Sequence, residues 1–456
     1  MDLYALLVRY LIYPLWMLKD GSACLKYLKE YEKTQWWSKE KINELQWERL
    51  QKMLKHAYLN CPFYKDRFDS IGLRPENIKS PQDFLNIPFL TKKDIQENPD
   101  KLKAGNYPPQ NLVQNRTGGS TGMPLLFYHN KERMDTRLAA TLRHNRWAHF
   151  NIGDKVAILW GSRYDHSLFE GWKASLRNFI LDRALVLDTS SITPEKMKQF
   201  AQKIKRFKPK VFLGYATSLY LFACFVESEN ISGINPQGII SSAEALESHQ
   251  REKIEKVFGC EVFDRYGCRE TSIVASECEK HSGLHINAEN LYVEIISNKK
   301  PVEAGQIGEI VITDLLNFGM PFIRYKIEDV GKLGKENCPC GRGLPLMEMA
   351  GGRAADFIVT SEGKYVAGGF FLHHLLTKID GIKQAQIVQK EMDSIVLKIV
   401  KGKELTQESL GLVKEDVADF LGKKMKVDFD FVEEIPKEAS GKYRFCISKI
   451  TPDFMK

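Results

Sequence analysis

Between Val113 and Tyr128 the chain reads V-Q-N-R-T-G-G-S-T-G-M-P-L-L-F-Y, and six consecutive residues, Thr117, Gly118, Gly119, Ser120, Thr121 and Gly122, are only Thr, Gly or Ser. Glycines let a backbone approach a ligand closely and adopt positive φ. Successive backbone N–H groups, with the hydroxyls, then make a concave, donor-rich surface suited to phosphate oxygens. No Gly-Lys-Ser/Thr closes the loop, so it is not a Walker A loop. A flexible surface loop has the same composition, and the rest of the chain must decide. A second group with chemical potential is Cys278-Glu-Lys-His281-Ser-Gly-Leu-His285 together with Cys338-Pro-Cys340-Gly-Arg342. Three thiolates and one imidazole, from either histidine, would close a tetrahedral zinc site. With four protein ligands the ion would have no open position, so its role would be structural. Buried reduced cysteines beside a surface histidine are the alternative.

The stretches around these residues have the pattern of elements that could hold them at strand ends. Residues 22–58 place Leu25, Leu28, Tyr31, Ile42, Leu45, Leu50 and Leu54 at helical spacing, and Cys61-Pro62 breaks the run. Pro81 and Pro88 bound short elements in an α-rich lead-in. Short apolar strands are expected at 156–160, 184–187, 210–215, 238–242, 262–267 and 308–313. Helices are expected between them, one from Pro194 to about Phe207 with Thr193 as N-cap, another over 249–258. This alternation predicts a largely parallel sheet with functional turns at the strand ends. Strands at 384–389, 395–400 and 426–432, with a helix over 405–421, imply a small α+β module. The expected fold is α/β: a large N-terminal domain over 1–350 with mixed and parallel sheets, and a small C-terminal α+β domain over 351–456.

Thr117-Gly-Gly-Ser-Thr-Gly-Met-Pro124 resembles the phosphate loop of the adenylate-forming superfamily, which includes acyl-CoA synthetases, luciferases and peptide-synthetase adenylation domains. Leu125 stands where the family's Lys usually follows the Pro. The phenylacetate–CoA ligase branch and its capsule-biosynthesis, CapK-type relatives also tolerate a non-Lys there. Ser242-Ala243-Glu244 resembles the turn that packs against adenine. Tyr266-Gly267-Cys268-Arg269-Glu270 resembles Y-G-x-[ST]-E, which implies that Tyr266 stacks near adenine and Glu270 ligates Mg²⁺. A carboxylate beside a triphosphate is repulsive unless a cation bridges them. Arg269 in place of Ser or Thr removes one hydroxyl contact.

The run Met320-Pro-Phe-Ile-Arg324-Tyr325-Lys-Ile-Glu328-Asp329 resembles the family's "mP.iRY.tgD", which implies that Asp329 accepts from both ribose hydroxyls. Glu328 replaces the usual Gly. Gly351-Gly352-Arg353 with Asp356 resembles the hinge motif, although Ala355 occupies the usual acidic position. Ser440-Gly441-Lys442 resembles the family's ending, which implies that Lys442 neutralises the charge that develops as a carboxylate attacks the α-phosphorus. The Cys…Gly-Leu-His…Cys-x-Cys-Gly-Arg pattern recurs in this branch as a structural zinc site. That implies Cys278, His285, Cys338 and Cys340 as ligands, with His281 as the alternative fourth.

The resemblance covers roughly residues 40–450, with five motifs in the family's order. It implies activation of a carboxylate by Mg·ATP to an acyl-adenylate with release of pyrophosphate, then acyl transfer, by default to coenzyme A. Tyr215, Trp160 and Phe127 are candidates for the acyl pocket. The segment after Arg353, Phe357-Ile-Val-Thr-Ser-Glu-Gly-Lys-Tyr, fits the CapK-type relatives better than true CoA ligases. The alternative is therefore activation of a sugar acid or amino acid for transfer to an amine in surface polysaccharide biosynthesis. A non-catalytic nucleotide-binding scaffold is the alternative of another class, and the intact Lys442 and Glu270 argue against it.

Composition sets outer limits. Hydrophobic residues at 43% and charged residues at 27% give the balance of a soluble globular enzyme, and 456 residues allow more than one domain. The net charge of +8 is dispersed, favours anionic ligands or an anionic membrane surface, and lacks the basic stripe of a nucleic-acid binder. Nine cysteines without a secretory signal predict a reducing cytoplasm. Leu3 to Leu18 is apolar but interrupted by Arg9, too short to span a bilayer. A helix docked on the protein body is expected there, with peripheral contact at the inner face of the membrane as the alternative.

Overall fold

The apolar runs become strands because each is rich in Val, Ile and Leu, which suit a buried pleated surface, and is bounded by turn residues. The computed structural model describes residues 2–116, 125–160, 171–189, 194–303, 305–353, 357–362, 365–368, 371–372, 375, 379, 381–402, 405–436, 444 and 446–450. The chain divides into two units. The first comprises Met1–Val293, Ile312–Tyr325 and Gly334–Met347, and the second Glu294–Val311, Lys326–Leu333 and Glu348–Lys456.

In the first unit, β1 (Leu112–Arg116) and β2 (Leu126–Asn130) form an antiparallel pair, Leu112 opposite Asn130 and Arg116 opposite Leu126. The main sheet follows with β3 (Val156–Trp160), β4 (Ala184–Asp188), β5 (Val211–Tyr215), β6 (Gly238–Ser242) and β7 (Val262–Cys268). These five lie in the order β7-β6-β5-β3-β4, all parallel. Antiparallel to β7 runs β8 (Ser272–Glu277), then β9 (Leu284–Ile286).

The helices between the parallel strands are amphipathic and bury one face. In Pro194–Phe207 a proline opens the first turn, Lys205 and Arg206 complement the dipole at the far end, and Phe200, Ala201 and Ile204 face inward. Helix Ser248–Phe258 stops at Gly259, whose φ of +67° closes it in the left-handed conformation. Their apolar faces and helix Ala216–Ser228 enclose a core of Ala157, Leu159, Phe212, Leu219, Phe222, Ile239, Ile254 and Phe258. The lead-in is helical as expected, over Cys24–Thr34, Lys39–Asn60 and Pro62–Ser70. Residues 3–19 are helical, with a π turn over Val8–Ile12, and dock through Val8 and Met17 against helices Cys24–Thr34 and Lys131–Trp147. No helix among the described residues is long and apolar enough to cross a membrane.

Eleven of the described strands lie wholly or partly in the second unit, the first five being β10 (Leu291–Ser297), β11 (Lys300–Pro301), β12 (Ile307–Asp314), β13 (Tyr325–Leu333) and β14 (Leu346–Arg353). The first residues of β14 belong to the first unit, where Leu346 lies opposite His285 of β9. A short pair, β15 (Phe357–Val359) and β16 (Tyr365–Ala367), precedes a four-stranded sheet. That sheet has the order β19 (Lys426–Phe431), β18 (Ser394–Lys401), β17 (Ile382–Glu391), β20 (Cys446–Ser448), and packs on helix Gln407–Leu421 through Ile387, Leu397, Val413, Val417 and Leu421. The molecule is thus α/β, with a large mixed sheet and a smaller C-terminal α+β sheet, as the sequence led us to expect.

Candidate active site and cysteine–histidine cluster

Several of the described ligand residues expected in the first unit lie at or near the ends of parallel strands. Trp160 closes β3, Tyr215 closes β5, Ser242 closes β6, and Tyr266-Gly267 lies near the end of β7. Register puts Tyr215 beside Ser242 and Ser242 beside Arg265, so these residues share one edge of the sheet, where open α/β sheets bind ligands. The rings of Trp160 and Tyr215 lie 4.3 Å apart, both at strand ends. Ala243 has a φ of +67°, a left-handed conformation that turns the chain sharply off β6 and leads into the half-buried Glu244. Phe127 differs: its ring is fully buried against His129 and Phe322 and presents no surface to a ligand.

Glu270 lies in the tight turn from β7 to β8. The turn is close-packed: a Cβ on Gly267 would stand 2.5 Å from the Ser272 carbonyl oxygen, so only glycine fits. Glu270 is buried, and the Tyr325 hydroxyl donates to its Oε1 at 3.1 Å. Three side chains hold the turn's backbone. His129 Nε2 donates to the Glu270 carbonyl at 2.8 Å, Arg137 Nη2 to the Arg269 carbonyl at 3.3 Å, and Arg133 Nη2 to the Thr271 carbonyl at 2.9 Å. His129 accepts from Arg137 at Nδ1, which fixes the neutral tautomer, and burial between two arginines pushes its pKa down to about 2. Arg133 is itself balanced by Asp314 at 2.7 Å, both fully buried. Sequence reasoning missed His129, Arg133 and Arg137. The only local signal was a helix with Arg at 133 and 137, which reads as a solvated face.

The cysteine–histidine group closes within the first unit. The donor atoms of Cys278, His285, Cys338 and Cys340 all lie within 4.8 Å of one another. Cys278 Sγ is 3.6 Å from Cys338 Sγ, and Cys340 Sγ is 3.3 Å from His285 Nε2. A tetrahedral zinc with ~2.3 Å bonds to sulfur has edges of about 3.8 Å, so this donor set fits such an ion. The His285 Nδ1 donates to the Leu344 carbonyl at 3.1 Å, which leaves the Nε2 lone pair facing the thiols. Burial pushes the His285 pKa down to about 4, so the ring is neutral, as a ligand must be. Burial opposes ionisation of Cys340, but hydrogen bonds from Arg342 and its neighbouring thiols outweigh it and hold the thiol below its ordinary value. Arg342 also pairs with Glu279 at 2.9 Å. His281 is engaged elsewhere, with Nδ1 3.1 Å from Glu277, whose carboxylate raises its pKa.

Asp329 lies half-buried on β13, in the second unit. Glu328 before it has a φ of +69°, a conformation that favours glycine and accounts for the Gly usual there. Arg324 is structural: its Nη1 donates to the carbonyls of Leu85 and Ile87 at 2.5 and 2.7 Å, tying the lead-in to the sheet. Arg353 ends β14. The expected phosphate loop at 117–122, the hinge acid Asp356 and Lys442 lie outside the described residues.

Residues 358–449 match the family model described as the CapK C-terminal domain. The chain is 26% identical over 417 residues to Protein CapK of Staphylococcus aureus, covering 89% of each. It is 30% identical over 334 residues to the phenylacetate-coenzyme A ligase of Aromatoleum evansii, covering 71% of this chain and 72% of that one. The solved structure of a 2-hydroxyisobutyryl-CoA ligase in complex with R3-HIB-AMP is similar in fold, with a TM-score of 0.71 at 22% identity over 90% of both chains. Fold and strand-end residues together define an adenylate-forming ligase. Within that class the chain belongs to the phenylacetate–coenzyme A ligase family and is related to CapK.

Proposed function

We propose that this enzyme activates a carboxylate with ATP and passes the acyl group to coenzyme A. The observation that carries the reading is the row of Trp160, Tyr215, Ser242 and Tyr266 along the carboxyl ends of parallel strands, in a family that includes named coenzyme A ligases. Ser242-Ala243-Glu244 and Tyr266 would receive adenine, Asp329 the ribose hydroxyls, and the loop of Thr117 to Gly122 the phosphates. Trp160 and Tyr215 would border the acyl group. Glu270, steadied by Tyr325, would hold Mg²⁺. The bound ion would neutralise charge between the carboxylate and the triphosphate.

In the first half-reaction a substrate carboxylate oxygen attacks the α-phosphorus, and the bond to pyrophosphate breaks. The mixed anhydride splits a hard substitution into two easier ones. In the second, the thiolate attacks the acyl carbon and AMP leaves. Residues 1–350 would supply the nucleotide and acyl contacts, and residues 351–456, a mobile module hinged near Arg353, would supply Lys442 to the first half-reaction. Cys278, His285, Cys338 and Cys340 would hold zinc as a structural clip remote from bond making.

A specific observation favours a second reading. Similarity to CapK runs over 89% of the chain, against 71% for the coenzyme A ligase, and the C-terminal family match is to CapK. Under that reading the acid is a sugar acid or amino acid and the acceptor an amine. One panel separates the two: aryl acids, uronic acids and amino acids, scored for pyrophosphate release with and without coenzyme A. Thioester formation from an acid in the panel supports the first reading. Release confined to uronic or amino acids, with no thioester, moves the second ahead. No acid-dependent release from any member would overturn carboxylate activation.

A further inference from the structure

The N-terminal helix is amphipathic in the reverse of the usual sense. Its polar anchor faces the protein: Arg9 Nε donates to the Ile152 carbonyl at 3.0 Å and Nη2 meets Asp154 at 3.1 Å. The charge that interrupts the apolar run in sequence is therefore turned inward. Leu3, Leu7, Leu11, Leu15 and Leu18 face outward at spacings of three to four residues, with Leu3 74%, Leu11 51% and Leu18 76% exposed. A second apolar row stands on the adjacent helical segment, where Trp172 is 73% and Phe179 78% exposed. The two elements are locked together. Tyr4 Oη donates to the Ile180 carbonyl at 3.1 Å, Arg183 pairs with Asp2 at 2.7 Å, and Ile12, Tyr13, Ile180 and Leu181 share one core cluster. A folded body that holds two rows of large apolar side chains in water has something to cover them.

We propose that these rows form an in-plane docking surface for an anionic phospholipid membrane. The edge charges favour that occupant over a second copy of the chain. Asp2 and Asp182 are each paired with an arginine, Arg183 and Arg177, which removes them as repulsive groups. Lys19 and Lys173 stand exposed, over the rings of Trp16 at 5.4 Å and Trp172 at 5.6 Å, against the carboxylate of Asp20. Trp16, half-buried, and Trp172, exposed, each beside a lysine at the edge of an apolar strip, suit the headgroup layer, where the ring sits at the boundary and the ammonium reaches phosphate. Protein–protein interfaces are instead depleted in lysine. The helix lies flat because its other face is buried in the protein through Val8 and Met17.

The test uses the full chain and flotation with vesicles of phosphatidylcholine alone or with about 30% phosphatidylglycerol, a fraction chosen to give a negative surface potential. The wild type should float with the anionic vesicles and be released by high salt. The triple variant L11S/L18S/F179S, all at exposed positions, should bind at least about 10-fold more weakly through lost apolar burial. Its thermal midpoint should match the wild type. A K19E/K173E variant should lose the preference for phosphatidylglycerol while keeping its fold. Failure of the wild type to bind anionic vesicles, or equal binding by the triple variant, overturns the proposal. A wild-type dimer that the triple variant turns into a monomer, without vesicle binding, would also overturn it and make this face an interface between copies.

Discussion

Two negative groups must meet for an acyl-adenylate to form, and the residue that screens them acts only while they approach. In the proposed reaction that task falls to Lys442. Lys442→Ala should slow adenylation by about 10²–10³-fold, the usual loss for one preorganised charge. Affinity for ATP should barely change, since the contact is made in the transition state. Supplied with synthetic acyl-adenylate, the variant should transfer the acyl group at near the wild-type rate. Single-turnover rates from each starting point check this, and equal losses in both would assign Lys442 an architectural role. His129 makes a different prediction. Its folded pKa of about 2 lies below the ordinary 6.5, so its contribution is present above pH 6.5 and is lost as pH falls, when only the unfolded chain takes up the proton. One proton corresponds to about 1.4 kcal/mol per pH unit. Urea midpoints across pH 7.5 to 5.5 should show His129→Gln flattening the acid side by that slope, and an unchanged slope would reject the neutral buried ring.

The helix Lys131–Trp147 and the hairpin of β7 and β8 form one working element. The helix contributes Arg133 and Arg137, and β2 contributes His129, to hold the backbone on which Glu270 sits. The Arg133–Asp314 pair is fully buried, and Asp314 also accepts from the backbone N–H groups of Leu316 and Asn317. Removing one partner of such a pair leaves an uncompensated charge. Arg133→Met should therefore cost about 3–5 kcal/mol. The double variant R133M/D314N should cost less than the sum of the two single variants, because it buries no lone charge. Chemical denaturation of the four proteins gives the coupling, and simple additivity would mean the pair does not act as a unit. The Arg133→Met protein should also lose nucleotide-dependent stabilisation, since Thr271 and the turn beside Glu270 lose their anchor.

At the scale of the whole molecule the cysteine–histidine cluster ties together residues far apart in sequence, Cys278 and Cys338 being separated by 60 positions. A bound ion there would close a long loop, which stabilises chiefly by restricting the unfolded chain. Elemental analysis should find about one zinc per chain. A strong chelator, or Cys338→Ala, should lower the melting temperature without removing any of the residues proposed to contact nucleotide. Fully folded protein without zinc, melting where the metal-loaded protein melts, would remove the clip from the account.

Strand and helix positions from Val156 to Cys268 are legible in the sequence because periodicity and turn residues are local properties. The strand-end residues are legible too, since turns place Gly and polar side chains in a fixed order on the page. Buried charge is not. The run K-E-R-M-D-T-R-L-A-A-T-L-R-H-N-R-W reads as a solvated helix, yet Arg133 and Arg143 are fully buried. Their partners Asp314 and Glu289 come from 181 and 146 residues away, and burial becomes tolerable only once those carboxylates arrive. The choice between His281 and His285 is equally nonlocal. His281 has a φ of +44° and engages Glu277, while the pairing of His285 with Leu346 carries its imidazole to Cys340. The apolar N-terminus shows the same division: its composition is plain from the sequence, but only the meeting of Arg9 with Asp154 decides which face is turned inward and which is left to water.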